Sequence, residues 1–504
     1  MPTPSKKLAE ALEKMRDAQV DGIVRSEALT RTYLTRLTKA GFLQEIIRGW
    51  YYVSHPSMPS GSTAWYGHYW TFLKQYLNDR FGEDYCLLPE SSLYLLTGAT
   101  VVPKQLSIMR RSPGQQVIVL CSDTSLFIYQ ERGRFPNRTV EWNGIRLMEL
   151  SEALMRVPES YFRNRADDAV IALQMLQDPT NLLADLLEDG HSVIAGRLAG
   201  AFRHIGDTTT ADRILKTMQS AGYDVRESDP FNQPMPSASS AVRSPSPYVA
   251  RLKGMWPSMR ADIEEVFPVT SRHVADLQGY LAQLEERYAQ DAYHSLSIEG
   301  YQVTPALIEK IREGRWDPAA DPSDRDTMNA LAARGYWEAF VAVKASIASI
   351  LDEKDPAAIV REAHHDWHRA LFASAVQSGL LPPSALAGYR RGPVFIRGSR
   401  HVPLPDHALA DAMAAYFDLL AQESHPAVRA VLGHFLFVFI HPYSDGNGRM
   451  GRFIMNAMFA SGGYPWTIVH VEHRAQYMEA LEEASVNGNI RPFASFILAE
   501  MNAT

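Results

Sequence analysis

The stretch whose reading decides the fold is residues 441–452, "HPYSDGNGRMGR", which directly follows the apolar run "VLGHFLFVFI". A histidine, an acid, an asparagine, three glycines and two arginines close a segment otherwise built for burial. Gly446 and Gly448 free the backbone at the start of a helix, so successive N–H groups and the positive helix end can converge on an anion. Arg449 and Arg452 are three apart, share a helix face and can neutralise further phosphate oxygens with forked hydrogen bonds. Asp445 stands at the mouth of this cradle and can hold Mg²⁺, which keeps most of its waters and completes its shell with substrate phosphates. His441 has an ordinary pKa suited to taking a proton from a hydroxyl near neutral pH. The ordered combination predicts phosphoryl or nucleotidyl transfer by positioning and charge stabilisation rather than a plain glycine-rich turn.

Outward from this stretch, helical spacing of apolar residues fills the chain from about residue 251, through "RHVADLQGYLAQLEERYAQDAYHSL", "TPALIEKIREG", "DTMNALAARGYWEAFVAVKASIASIL", "AAIVREAHHDWHRALFASAVQSG" and "HALADAMAAYFDLLAQ". In "YRRGPVFIRGSRHVPLP" two short β-type runs flank Gly398-Ser399 and predict a hairpin. His434, inside the apolar run, reads as a satisfied core histidine. His364, His365 and His368 have partly metal-like spacing with no further ligand set, which favours a surface or packing role.

"HPYSDGNGRMGR" is similar to the signature of the Fic family, His-x-Phe-x-(Asp/Glu)-Gly-Asn-Gly-Arg-x-x-Arg, with Tyr443 at the aromatic packing position. The resemblance covers about residues 260–504. It implies an all-α Fic fold with a β-hairpin flap, and transfer of AMP from ATP to a Ser, Thr or Tyr hydroxyl of a target protein or of the chain itself, releasing pyrophosphate. Position by position it implies that His441 is the general base and that Asp445 binds Mg²⁺ between the α- and β-phosphates. Gly446, Asn447 and Gly448 would form the anion hole, and Arg449 and Arg452 would contact the distal phosphates. Doc-like kinases of the family depart from glycine at the position of Gly446, so its presence favours nucleotidyl transfer. The hairpin Pro393 to Pro403, with Val394, Phe395, Ile396 and Arg397, looks like the family's flap, which clamps the target by strand addition. Tyr477 is a candidate wall of the adenine pocket, with core packing equally open.

In "SLSIEG", Ser295 and Glu299 lie four apart, on one face if the segment is helical, with Gly300 as terminator. Alone this is ordinary. Beside the Fic-like stretch it resembles the family's inhibitory signature, (Ser/Thr)-x-x-x-Glu-(Gly/Asn), which implies that Glu299 pairs with Arg452 and misplaces the γ-phosphate. In some relatives the same glutamate assists AMP removal, so a de-AMPylase stays open.

Near the start, "PSKKLAEALEKMRDAQ" and "SEALTRTYLTRLTKAGFLQEI" predict two helices, the second with Ser26 as N-cap. Gly41 ends the second, Arg48-Gly49 makes a turn, and "WYYV" favours a strand. Helix, turn, helix and hairpin make a winged helix, in which Arg31, Arg36, Lys39 and Arg48 could reach the phosphates of double-stranded DNA; ordinary solvated charges are an equal reading. Beyond Trp65, "QVIVL" and "SLFIY" read as strands, "VEWNGIRLM" as a hairpin on Asn143-Gly144, and "DAVIALQMLQDPTNLLADLLEDG" as helix. The segments "YLTRLTKAGFLQEIIRGWYYVS" and "GHSVIAGRLAGAFRHIGDTTTADRILKTMQSAGYDVRESDPF" resemble AbiEi-type antitoxin and regulator proteins, which begin with a winged helix. The Pro- and Ser-rich "ESDPFNQPMPSASSAVRSPSPY" reads as a linker. The expected organisation is a winged helix over 1–60, a mixed α+β domain over 61–230, a linker over 231–250 and a Fic domain over 251–504, with the inhibitory helix near 288–300.

With 504 residues, 46% hydrophobic and 21% charged, the composition is that of a soluble multidomain protein. A net charge of −7 argues against a wholly basic nucleic-acid binder. Cys86 and Cys121 read as reduced core thiols. "MPTPSKKLAEALEKM" lacks an apolar signal region, and Val431–Ile440 is too short to span a bilayer, so a cytoplasmic protein without a membrane partner is expected. A homodimer is left open. The leading expectation is an autoinhibited protein adenylyltransferase; the competing one is a DNA-binding regulator whose Fic half mainly senses nucleotide.

Overall fold

A computed structural model describes residues 4–56, 62–131, 133, 135–188, 190–231, 246–267, 276–316 and 327–503. Contacts divide the chain into two compact units, Met1–Arg251 with Phe395–Val402, and Leu252–Val394 with Pro403–Thr504.

The first unit opens with the helix Pro4–Ala18, β1 (Ile23–Arg25), a 3₁₀ turn Ser26–Ala28, the helix Arg31–Lys39, then β2 (Leu43–Ile47) and β3 (Trp50–Val53). The strands form an antiparallel sheet ordered β1-β3-β2 over a small core containing Ala11, Val24, Leu37 and Leu43. Ser26 does not cap the second helix as expected. Leu29 is extended (φ −132°), which ends the 3₁₀ turn early, and Thr30 caps instead, its hydroxyl accepting from Tyr33 N at 3.4 Å. Gly49 (φ 88°) supplies the left-handed residue of the two-residue loop between β2 and β3.

Next come β4 (Tyr85–Leu87), β5 (Gln105–Arg110), β6 (Gln116–Val119) and β7 (Ser125–Gln130), in the order β4-β5-β7-β6 with β5 and β7 parallel. β8 (Thr139–Trp142) and β9 (Ile145–Met148) pair across Asn143 and Gly144, both at positive φ, as a primed hairpin turn requires. Helices from Leu150–Arg156 to Thr208–Ser220 complete this unit around a second core that includes Leu154, Phe162, Leu198 and Phe202.

The expected hairpin at Gly398-Ser399 is a turn without a ladder. Ser399 N donates to Ile396 O at 3.1 Å and Gly398 has φ 79°, yet among the described residues neither arm forms a strand with the other. The backbone of the second arm is engaged elsewhere in the same unit. Val102 N donates to Arg400 O (3.0 Å), Val402 N donates to Thr100 O (2.8 Å), and His401 bridges Val101 antiparallel.

The second unit is helical. Its elements include Leu277–Ile298, Pro305–Arg312, Thr327–Leu351, Pro356–Gln377, Leu409–Gln422, Pro426–Ile440, Asn447–Ala460, Arg474–Asn487 and Arg491–Ala503. The expected linker falls mainly on 232–245, outside the described residues, but 247–250 already belong to the helix Pro247–Val266. The helix Pro426–Ile440 is apolar on nearly every face and accordingly buried on nearly every face. Its C-terminus and the N-terminus of Asn447–Ala460 frame residues 441–446.

Candidate nucleotide site

His441 is the C-cap of the buried helix and holds φ 55°, ψ 59°, a left-handed conformation that costs a non-glycine residue about 1–3 kcal/mol. Its Nδ1 pairs with Val438 O at 3.0 Å, which fixes the proton there and leaves Nε2 as the acceptor. Burial, with a smaller push from the charge of Arg390, lowers His441 to about 4. The neutral-range value expected from sequence is thus displaced downward, and the imidazole is uncharged and able to accept a proton at neutral pH.

Arg390 is a residue the sequence reading missed. It is 5% exposed and its guanidinium donates to three carbonyls: His441 O from Nε at 2.8 Å, Gly392 O from Nη1 at 2.7 Å, and Leu404 O from Nη2. Its backbone N also donates to Pro442 O at 2.9 Å. One buried cation therefore joins both ends of the 393–403 excursion to the carbonyl of His441. The only signal in sequence is the tandem arginine of "YRRGP", which resembles an exposed turn.

Gly446 (φ 85°) opens the next helix, and a Cβ there would lie 2.8 Å from the Phe372 ring, so both backbone and space require glycine. Asn447 is 2% exposed and its amide exchanges two bonds with the Tyr443 backbone, donating to O at 2.8 Å and accepting from N at 3.0 Å. Its side chain is spent on shaping the loop, which leaves only its N–H for an anion. Tyr443 is more than a packing residue. Its hydroxyl bonds His365 Nδ1 at 2.8 Å and its ring stacks on His368 at 3.7 Å. His368 Nε2 in turn meets Asp445 O at 3.2 Å, and His364 bonds the Tyr389 hydroxyl at 2.9 Å. Burial lowers His364 and His368 to about 4, so these rings brace the loop as neutral groups, in line with the packing role.

The Asp445 side chain is 63% exposed, with Oδ1 accepting from Gly446 N at 2.6 Å and 3.4 Å from Arg449 Nη2. A largely solvent-facing carboxylate beside the glycine-opened helix start fits a hard cation that keeps its waters. Arg449 is 1% exposed, lies over the rings of Phe372 (4.9 Å) and Tyr301 (5.4 Å), and has no hydrogen-bond partner at Nε, while its Nη2 meets only the Asp445 carboxylate at 3.4 Å. A buried guanidinium with an unmet donor suits a further anion, because leaving that donor unmet costs about 1–3 kcal/mol.

Arg452, 3% exposed, is engaged by the helix Leu277–Ile298: Nε donates to Ser295 Oγ (3.0 Å), Nη2 to Ser295 O (3.1 Å) and Nη2 to Glu299 Oε1 (2.8 Å). Glu299 caps that helix and Gly300 (φ 94°) turns the chain away. A Cβ on Gly448 would sit 2.5 Å from Glu299 Oε1, so the bare backbone of the cradle is also what admits this carboxylate. Burial pushes Glu299 up, but Arg452 and Arg449 outweigh it and hold the carboxyl below its ordinary value. Further bonds seat the helix: Tyr336 Oη to Asp291 (2.6 Å), Arg287 to Trp466 O (2.7 Å) and Arg474 to Ile298 O (2.8 Å).

Not every expected residue joins the site. Tyr477 is 1% exposed, and its hydroxyl bonds His434 Nε2 at 2.7 Å, which places it in the core rather than on an open face for a base. His434 is satisfied only there: its buried Nδ1 has no partner, and burial lowers it to about 3. Val394 lies in the second unit, whereas Phe395, Ile396 and Arg397 group with the first. Arg31, Lys39 and Arg48 are exposed, while Arg36 donates to Lys7 O at 3.0 Å; Lys7, Arg31, Arg36 and Lys39 line one basic concavity. Cys86 and Cys121 are free thiols. No helix among the described residues is long and apolar enough to cross a membrane.

A neutral imidazole, a glycine-opened helix start and two buried arginines come together on the helical unit, a donor set that suits an anion. Residues 360–459 match the Fic/DOC family, and the C-terminal region carries a Fic domain. The chain is 34% identical over 217 residues to a protein of Drosophila willistoni named Protein adenylyltransferase Fic, covering 42% of this chain and 40% of that one. It is 33% identical over 233 residues to the Aedes aegypti protein of the same name, covering 44% and 42%. It thus spans about two fifths of the length of these relatives. Among solved structures, Fic-1 (aa134–508) from C. elegans aligns with 68% of this chain and 95% of its own at 20% identity, with a TM-score of 0.37.

Proposed function

We propose that this chain is a protein adenylyltransferase that transfers AMP from ATP to a hydroxyl of a target protein or of itself, and that Glu299 holds it off. Relatives bearing the adenylyltransferase name support the activity. The observation that carries the regulation is the triple engagement of Arg452 by Ser295 and Glu299.

In the reaction, the N–H groups of Asn447 and Gly448 and the guanidinium of Arg449 orient the phosphate chain, joined by the N–H of Gly446 once it leaves Asp445 Oδ1. Arg452 binds its distal end once Glu299 leaves. Asp445 would hold Mg²⁺, which when bound supplies neutralisation of the phosphate charge. His441 Nε2 takes the hydroxyl proton as the oxygen bonds the α-phosphorus and the bond to pyrophosphate breaks. With Glu299 on Arg452 the γ-phosphate loses its cation and the nucleotide settles with the α-phosphorus out of line.

The test is incubation of full-length Glu299→Gly with ATP labelled at the α-phosphate, Mg²⁺ and cell lysate. Label incorporation should rise by roughly 5–150-fold over wild type, the span of a typical coupling between sites. It should fall by about 100-fold or more when His441→Ala is added, as loss of a general base predicts. Unchanged labelling in Glu299→Gly would sink the autoinhibition reading, and His441-independent labelling the catalytic one.

A second reading has its own support in the basic concavity of Lys7, Arg31, Arg36 and Lys39. In it, residues 1–60 are a winged helix that docks on double-stranded DNA, residues 61–230 an AbiEi-like domain, and the Fic half a nucleotide sensor. Salt-sensitive duplex binding in the absence of any labelling would favour this reading.

A further inference from the structure

The segment "HVEH", His470 to His473, lies outside the nucleotide site. It folds as a 3₁₀ turn, Val471–His473, with His470 as N-cap. Residues three apart eclipse in such a turn, so both imidazoles project from one side. Both meet the same carboxylate, that of Glu500 in the last helix: His470 Nδ1 lies 2.9 Å from Oε2 and His473 Nδ1 2.6 Å from Oε1. The His470 backbone N also donates to Oε2 at 2.6 Å and fixes the carboxylate's orientation. The three donor atoms all fall within 4.8 Å of one another. The side chains are graded outward, Glu500 3% exposed, His470 16% and His473 48%, a closed floor with an open mouth.

We propose that His470, His473 and Glu500 form a site for a borderline transition metal ion of the Zn²⁺ class. Two imidazoles and one carboxylate suit such an ion, whereas Mg²⁺ and Ca²⁺ take oxygen shells. Three protein ligands leave one tetrahedral position for water, which the exposed side of His473 admits. Binding requires each Nδ1 to present its lone pair, free of a proton, toward the ion. The ion takes the place of the two N–H to carboxylate bonds.

The site sits against the helix that carries Ser295 and Glu299. His294 Nδ1 accepts from Val471 N at 3.2 Å, its ring centroid lies 4.6 Å from that of His470, and the Glu472 carboxylate is 3.6 Å from the same Nδ1. An ion there would stiffen the segment on which that helix rests.

The test is titration of chelator-stripped full-length protein with Co²⁺ as a spectroscopic probe, followed by displacement with Zn²⁺. Stoichiometric uptake with visible absorption of a four-coordinate ion is expected, unchanged in Asp445→Ala. His473→Ala and His470→Ala should each weaken binding by about 10-fold or more, since loss of even an outer partner costs about that much. Because His473 is half exposed, His473→Ala should fold, and an unchanged circular dichroism spectrum verifies it. Absence of saturable uptake, or uptake indifferent to both substitutions, would overturn the proposal and leave a hydrogen-bonded carboxylate–imidazole cluster only.

Discussion

At the residue scale, the site is set by what burial does to individual groups. His441 is lowered to about 4, so it is neutral throughout the physiological range and, in the proposed reaction, would lose its capacity to accept a proton only as pH approaches that value. In the Glu299→Gly background, with Mg²⁺ and ATP saturating, transfer should stay level from about pH 8 to about pH 5 and decline only below. A decline centred near the ordinary histidine value of 6.5 would contradict the assignment. Glu299, held below its ordinary value, stays ionised on Arg452 across the same range, so the proposed inhibition should not be relieved by mild acidity. These residues were legible in sequence because the chemistry needs them consecutive: Asp445 to Arg452 must present successive N–H groups and one helix face. Arg390 was not, since its partners His441 and Leu404 lie 51 and 14 residues away and nothing local marks it.

At the scale of elements, helical period and buried apolar faces gave the helices of the second unit, because a 3.6-residue repeat is written along the chain. The flap was misread because strand pairing is a relation between segments. The runs around Gly398 have strand composition, but their backbone bonds go to Thr100 and Val102. Arg390 holds Gly392, Leu404 and the His441 carbonyl together within the second unit. Replacing it in the Glu299→Gly background should therefore affect target docking and His441 placement more than nucleotide binding. We expect Arg390→Ala to lower kcat for target labelling by about 100-fold, the effect of a displacement near 1 Å, with KM for ATP little changed. Arg390→Lys should restore little, since an ammonium cannot serve three carbonyls in one plane. A matching rise in KM for ATP, or wild-type turnover, would refute this role.

At the scale of the whole molecule, the helix that ends in Glu299 carries a second buried acid, Asp291. It is 3% exposed and pushed up to about 6 by burial, against the opposing pull of the Tyr336 hydroxyl and Arg452. A carboxyl raised in the folded state stabilises the fold fully below its unfolded value of 3.8, and that contribution is lost as pH rises through about 6. Asp291→Asn keeps an acceptor for Tyr336 and removes the charge. It should raise stability near pH 8 by on the order of 1–3 kcal/mol, with the gain gone near pH 4, as read by thermal unfolding at the two pH values. No gain at the higher pH would show that Arg452 compensates the charge in full. The division into two units falls after Arg251, and the inclusion of Phe395–Val402 in the first unit has no local mark in the sequence, because it depends on contacts about 300 residues apart.

The shared claim on Arg452 also sets a quantitative relation between shape and supply. If the helix occupies the guanidinium most of the time, productive ATP binding pays a population tax equal to the fraction of molecules in which Arg452 is open. A latch open about one part in a hundred weakens apparent productive affinity about 100-fold without touching the cradle. Under the proposed autoinhibition, the three bonds from Ser295 and Glu299 would act as a threshold on nucleotide level, and anything that loosens the helix by about 1.4 kcal/mol would lower that threshold about tenfold.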